Sequence, residues 1–148
     1  MLLEGLSPDP DDKMAWGLTR VALANVYMVL GHIDGVRLIV AELTRREGMP
    51  TVIASLARGF AVLVETYDGG SLADACNVLE ELARDHARLG LTHYAGVGYH
   101  NGALAAFARG QYDGTVRLAG QAIQQFDRTA SRHGVESTQT LLAQALME

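Results

Sequence analysis

Three stretches of the chain echo one another at a spacing near forty residues, and a repeat of that kind leaves few folds open. Gly31, His32, Ile33, Asp34, Gly35, Val36, Arg37, Leu38 reads against Gly110, Gln111, Tyr112, Asp113, Gly114, Thr115, Val116, Arg117, Leu118, with one residue inserted. Gly70, Ser71, Leu72, Ala73, Asp74, Ala75 takes the equivalent place between them, so the three glycines stand 39 and 40 residues apart. A unit of this length is a single supersecondary element that cannot bury its apolar face alone, so it folds by stacking on its copies.

A second mark recurs out of phase with the first. Gly48 is followed by Met49, Gly90 by Leu91 and Gly134 by Val135, and each closes a segment holding two arginines: Arg45 and Arg46, Arg84 and Arg88, Arg128 and Arg132. Glycine past the last turn, an apolar residue after it and cations in the last turn together form a helix stop. Thr51, Thr92 and Ser137 follow within three residues and are expected to cap the next helices. Leu3, Glu4, Gly5, Leu6, Ser7 carries the same stop signature, so residues 1–12 read as the tail of a preceding helix and an inter-repeat loop, with the chain the last part of a longer array.

Between the marks lie two kinds of helix. In the second of each pair, apolar residues recur every three or four positions: Leu72, Ala75, Cys76, Leu79, Leu82, Ala83, His86 in one, and Val116, Ala119, Ile123, Phe126, Ala130 in another. The opposite faces are wet, and Glu80, Glu81 and Asp85 belong to such a solvated face. Ser71 with Asp74 resembles a capping box. The first helix of each pair is apolar nearly all round, as in Leu18, Val21, Leu23, Val26, Tyr27, Val29, Leu30 and in Val52, Ile53, Leu56, Phe60, Val62, Leu63, Val64, so it must be covered on several sides. The third such helix holds Gly96, Gly98 and Gly102, each costing about 1 kcal/mol relative to alanine. Close backbone packing offsets that cost, or the helix breaks near residues 96–98; close packing is the favoured reading.

The turn pattern of Gly, x, aromatic or aliphatic, Asp, x, small resembles tetratricopeptide repeats, and the period near forty resembles their longer variants. The resemblance covers residues 13–148 and implies an all-α fold: a right-handed α-solenoid of antiparallel helix pairs, with repeats at about 13–49, 50–91 and 92–134 and a closing helix at 135–148. Similar variants form the C-terminal helical arm of large bacterial LuxR-type and signalling-ATPase transcriptional regulators. The sequence departs from the family where Val36 and Thr115 replace a favoured alanine, and only Pro50 and Trp16 approximate its proline and tryptophan.

Chemistry is harder to find. His93 and His100 are seven residues apart, and His86 falls before Gly90 on another helix, whereas helical metal pairs sit three or four apart. Cys76 faces the apolar side, no Gly-x-Ser-x-Gly elbow occurs, and Gly69, Gly70, Ser71 lacks the lysine of a phosphate loop. No catalytic residue, metal or cofactor is therefore expected, and the chain reads as no enzyme. The formal charge of −5 with a single lysine, Lys13, argues against a nucleic-acid partner. The lone cysteine points to a cytoplasmic setting, and apolar runs broken by Arg20, Asn25, Arg58 and Glu65 point to no membrane partner.

What remains is a surface. In the tetratricopeptide arrangement the inner helices line a concave groove, and counting from the hairpin glycines places Asn25, Met28, Phe60, Val64, His100, Leu104 and Phe107 near it. The expected partner is a protein or peptide, an adjacent domain of a longer chain, or a second copy forming a homodimer. The alternative is an effector-sensing or coupling arm of a larger transcriptional regulator or signalling ATPase.

Overall fold

Each apolar segment becomes a helix. The computed structural model describes residues 9–148, and among them runs α1 (Lys13–Val29), α2 (Ile33–Arg45), α3 (Thr51–Tyr67), α4 (Leu72–Arg88), α5 (Thr92–Ala108), α6 (Tyr112–Arg128) and α7 (Arg132–Leu146). No strand occurs among the described residues, so the fold is all-α. The expected helix tail at Gly5 lies outside the described residues. Asp9–Asp12 makes a tight turn, and Asp12 Oδ1 then accepts from the Ala15 N–H at 3.0 Å to cap α1. None of the described helices is long and apolar enough to cross a membrane.

The turns show why the glycines recur. After α1 the Gly31 N–H donates to Met28 O and the His32 N–H to Tyr27 O, the paired bonds of a Schellman motif. The same pair recurs at Gly90 with Leu91 and at Gly110 with Gln111. Each of these glycines has φ between 69° and 76°, where a Cβ would crowd the following carbonyl. In the middle repeat the left-handed residue is Gly69, not the expected Gly70.

At the third stop the expectation fails. The Ala130 N–H donates to Asp127 O and the Ser131 N–H to Phe126 O, with Ala130 itself at φ 52°. Gly134 is instead the third residue of α7, which starts at Arg132 rather than Val135. The caps differ too. Ser71 Oγ accepts from the Asp74 N–H at 3.2 Å as expected, but Thr51 and Thr92 are the first residues of their helices and Ser137 lies inside α7, donating to His133 O.

The helices gather into two compact units, Met1–Tyr67 and Asp68–Glu148. In the first, α1 and α2 meet in opposite chain order: Lys13 Nζ donates to Glu47 O at 2.9 Å, Arg20 pairs with Glu42 at 3.4 Å, and the Tyr27 ring lies over Gly35. The third helix packs on both. A Cβ at Gly17 would sit 2.8 Å from both Ile53 and Met49, so this glycine lets α1 close onto α3. The core is Val21, Ala24, Val36, Ile39, Leu43, Ile53, Leu56 and Ala57. The expectation that α1 is covered on several sides does not hold: Leu18, Val26, Val29 and Leu30 are exposed.

In the second unit α4, α5, α6 and α7 pack in succession, and α7 also touches α5. Cys76, Ala83, Tyr99, Ala103, Leu118, Ala119, Phe126 and Leu141 form one buried cluster. Here α5 runs unbroken through its glycines. A Cβ at Gly98 would lie 2.9 Å from that of Ala83, and one at Gly96 would lie 2.8 Å from the Phe126 ring, so close packing is what these glycines serve. Gly134 meets the same ring, at 2.6 Å, so Phe126 is seated against glycines of two helices. The inward side of α6 is rotated from the expected one: Thr115, Leu118 and Ala122 are buried, while Val116 and Ile123 are only half-buried.

Candidate functional site

Three helices carry the surface residues expected from the repeat. On α5, His100, Leu104 and Phe107 recur at steps of four and three, which places them along one side of the helix. That side points away from the deepest core residues of α5, Ala95, Tyr99, Ala103 and Ala106. Leu104 is 44% exposed, and Phe107 is half-buried, its ring 5.7 Å from that of Tyr112 in an edge-on arrangement. Val97 extends the strip by one turn toward the helix start, half-buried against the core. The result is an apolar ridge, wet along its crest.

His100 is the polar member of that ridge. Its Nδ1 lies 2.9 Å from Thr138 Oγ1 on α7. The Thr138 hydroxyl donates its single proton to Gly134 O at 2.7 Å, so in the bond to His100 it is the acceptor and Nδ1 is the donor. Nε2 is then the ring's acceptor in the neutral form. Burial, and secondarily the nearby His133, pushes the His100 pKa below the ordinary imidazole value, so that neutral form persists at physiological pH.

The first unit contributes Asn25 and Met28 from α1 and Phe60 and Val64 from α3. Asn25 is exposed, and Met28 and Phe60 are half-buried. Val64 is only 7% exposed, so it supports the surface from beneath. The contacts within this unit form a separate set from those of α5.

One structural pair escaped the sequence reading. Glu80, assigned to a solvated face, has a side chain only 12% exposed. Both its oxygens accept from Arg117 on α6, at 2.8 and 2.9 Å, and Arg84 adds a third contact. The hydrogen bond from Arg117 is the main force holding the Glu80 carboxyl below the usual carboxylate range. Glu80 and Arg117 lie 37 positions apart, close to one repeat, and that near-equality was the signal available in the sequence. His100 and Thr138, 38 positions apart, carry the same signal.

Cys76 is buried, its Sγ 3.5 Å from Gly102 O, and burial raises the thiol pKa, which opposes nucleophilic use. Among the described residues, no group of three or more His, Cys, Asp or Glu side chains is placed to hold a metal ion. Comparison with family models, with curated proteins and with solved structures gives no match.

Proposed function

We propose that this chain is a protein-interaction module, a right-handed tetratricopeptide-like solenoid of antiparallel helix pairs that holds a peptide, a domain or a second copy against its inner helices. The observation that carries the reading is the α5 strip, in which exposed Leu104 stands between half-buried Phe107 and His100. An amphipathic helix lays apolar anchors at i, i+3, i+4 and i+7 into a surface of this type. Beside those anchors, His100 Nε2 offers an acceptor to a donor on the ligand, while its Nδ1 is held by Thr138.

Aromatic and aliphatic groups at the centre of such a surface carry most of the binding energy. The test is affinity capture followed by titration of the captured partner against the intact chain and a Phe60→Asp, Leu104→Asp double variant, with helicity checked by circular dichroism. Loss of binding at unchanged helicity is the expected result. Equal affinity of both proteins would reject the inner-helix assignment.

A further inference from the structure

A half-buried imidazole with one nitrogen fixed and the other open reads a ligand by its hydrogen-bond polarity. His100 is such a group. Thr138 is fully buried, and its hydroxyl proton is committed to Gly134 O, one turn back along α7. The proton between the two side chains therefore belongs to His100 Nδ1. A neutral imidazole has one N–H, so Nε2 keeps its lone pair. Nε2 meets no partner among the described residues and stays open to solvent. The strip of α5 thus carries one side-chain acceptor in a set tautomer, beside exposed Leu104 and half-buried Val97.

The surroundings narrow what that acceptor can take. From Thr92 to Ala108, α5 carries no Asp, Glu, Lys or Arg. Of the helices packed on it, α4 brings Glu80, bonded to Arg117 and Arg84, and His86, beside the Tyr94 ring. From α6 comes Arg117 itself, and from α7 His133, with Arg132 and Glu136 joined to each other. On α5, His93 lies against the Phe126 ring. Of these groups His133, a base, is the one that acts on the charge of His100. An ammonium or guanidinium would lose hydration here without gaining a counter-charge. A neutral donor on an apolar body loses little. His100 and Leu104 are four residues apart, about 6 Å along the axis, a span that an indole covers. Indole joins a flat apolar body to one N–H and no acceptor, and tryptophan is among the residues that dominate binding surfaces. A protonated imidazole has an N–H on both nitrogens, so it cannot accept from an indole.

We infer that the α5 strip takes a tryptophan side chain of its partner, the indole ring against Leu104 and its N–H on His100 Nε2, and that protonation of His100 releases it. The inference rests on the reading of α5 as a docking surface, and adds to it the anchor and its control. Burial, and then His133, hold the His100 pKa below the ordinary imidazole value. The acceptor is therefore intact at neutral pH, and release comes below about 6.5.

The probes are indole and 1-methylindole, the same ring with and without the donor, titrated into the full chain and followed by amide and imidazole nitrogen resonances. At neutral pH the His100 ring is expected as the Nδ1–H tautomer. Indole is expected to bind roughly two- to tenfold more tightly than 1-methylindole, shifting the amides of Val97, His100 and Leu104. As pH falls through the His100 titration, within the range where the circular dichroism spectrum is constant, the two affinities should converge. In His100→Gln, whose amide oxygen accepts at either pH, the preference for indole should persist without pH dependence. An Nε2–H tautomer, no shift at those amides, equal affinities at neutral pH, or a preference that survives protonation would overturn the proposal. Failure of the docking reading is distinct: it shows as equal partner affinity of the Phe60→Asp, Leu104→Asp variant, whereas equal binding of the two indoles at the strip leaves that reading standing and removes the tryptophan.

Discussion

The first and last helices, α1 and α7, are both packed on one side and open on the other, yet their open sides differ in kind. That of α7 presents Arg132, His133, Glu136, Gln139, Thr140 and Gln144, with Arg132 bonded to Glu136 along the helix at 2.7 Å. That of α1 presents Met14, Leu18, Ala22, Val26 and Val29, with Lys13, Thr19 and Asn25 also exposed. The open side of α7 is polar along most of its length, and that of α1 is not.

The two helices are also anchored differently. Gly17 brings α1 onto Ile53 and Met49, and Trp16 lies beneath the guanidinium of Arg46, 4.2 Å from its ring centre. For α7 the anchor is one large ring, Phe126, lodged against Gly134, with Leu141 sealing the cluster. Phe126→Ala should therefore have the largest effect, destabilising the second unit by about 4 kcal/mol and exposing α7 amides to rapid hydrogen exchange while those of α1 keep their protection. Loss of protection in both helices together would mean that the anchors are not local.

A smaller effect of opposite sign is expected at the turn into α7. Ala130 stands where Gly31, Gly90 and Gly110 occupy the other Schellman turns, with φ 52°, and a left-handed alanine costs about 1 kcal/mol or more. Ala130→Gly should raise the denaturation midpoint of the second unit by an amount corresponding to about 1 kcal/mol. A neutral or negative result would show that the lost chain stiffness outweighs the relieved strain.

Acid offers a third comparison. Burial holds His86 below the ordinary imidazole value, against opposing contributions from the Tyr94 backbone and Asp85, and burial with His133 does the same for His100. An imidazole with a depressed folded pKa takes up its proton more readily in the unfolded chain. Its contribution is fully present above about 6.5 and is lost as pH falls through that value toward the folded one. The melting temperature of the second unit should accordingly drop between about pH 7.5 and 5, less steeply in His100→Gln. An identical slope in that variant would remove His100 from the explanation.

The smallest change in stability, and the sharpest contrast, comes from making α7 look like α1. Gln139 and Ala143 stand one step of four apart on the exposed side of α7, so Gln139→Leu with Ala143→Leu should move stability by no more than about 0.5 kcal/mol per site. Sedimentation velocity should nonetheless show association that the parent lacks at α7. If the altered protein behaves as the parent does, an apolar row alone does not bring helices together here.

Much of this architecture was legible along the chain. Helix periodicity places α4 and α6, apolar runs place α1 and α3, Ser71 marks the start of α4, and the glycines after α1, α4 and α5 mark their ends, because each of these depends on neighbours within a turn or two. The inward side of α4 follows from spacing alone. The candidate surface is legible only as far as the helix: steps of four and three put His100, Leu104 and Phe107 on one side of α5, but nothing local tells that Val64 is buried or that Thr138 orients His100.

The rest was settled by contacts between residues distant in sequence. Gly134 has the local look of a helix stop, and only the Phe126 ring packed against it shows a packing site inside α7. Glu80 looks like any other carboxylate on a wet face until α6 brings Arg117 to it. The largely apolar sequence of α1 implied cover on several sides, yet how many sides a helix has covered depends on how many others pack against it. Sequence spacing sets which side chains share a face, because backbone geometry is local. Tertiary structure alone sets what that face meets, because burial is a property of the assembled surface.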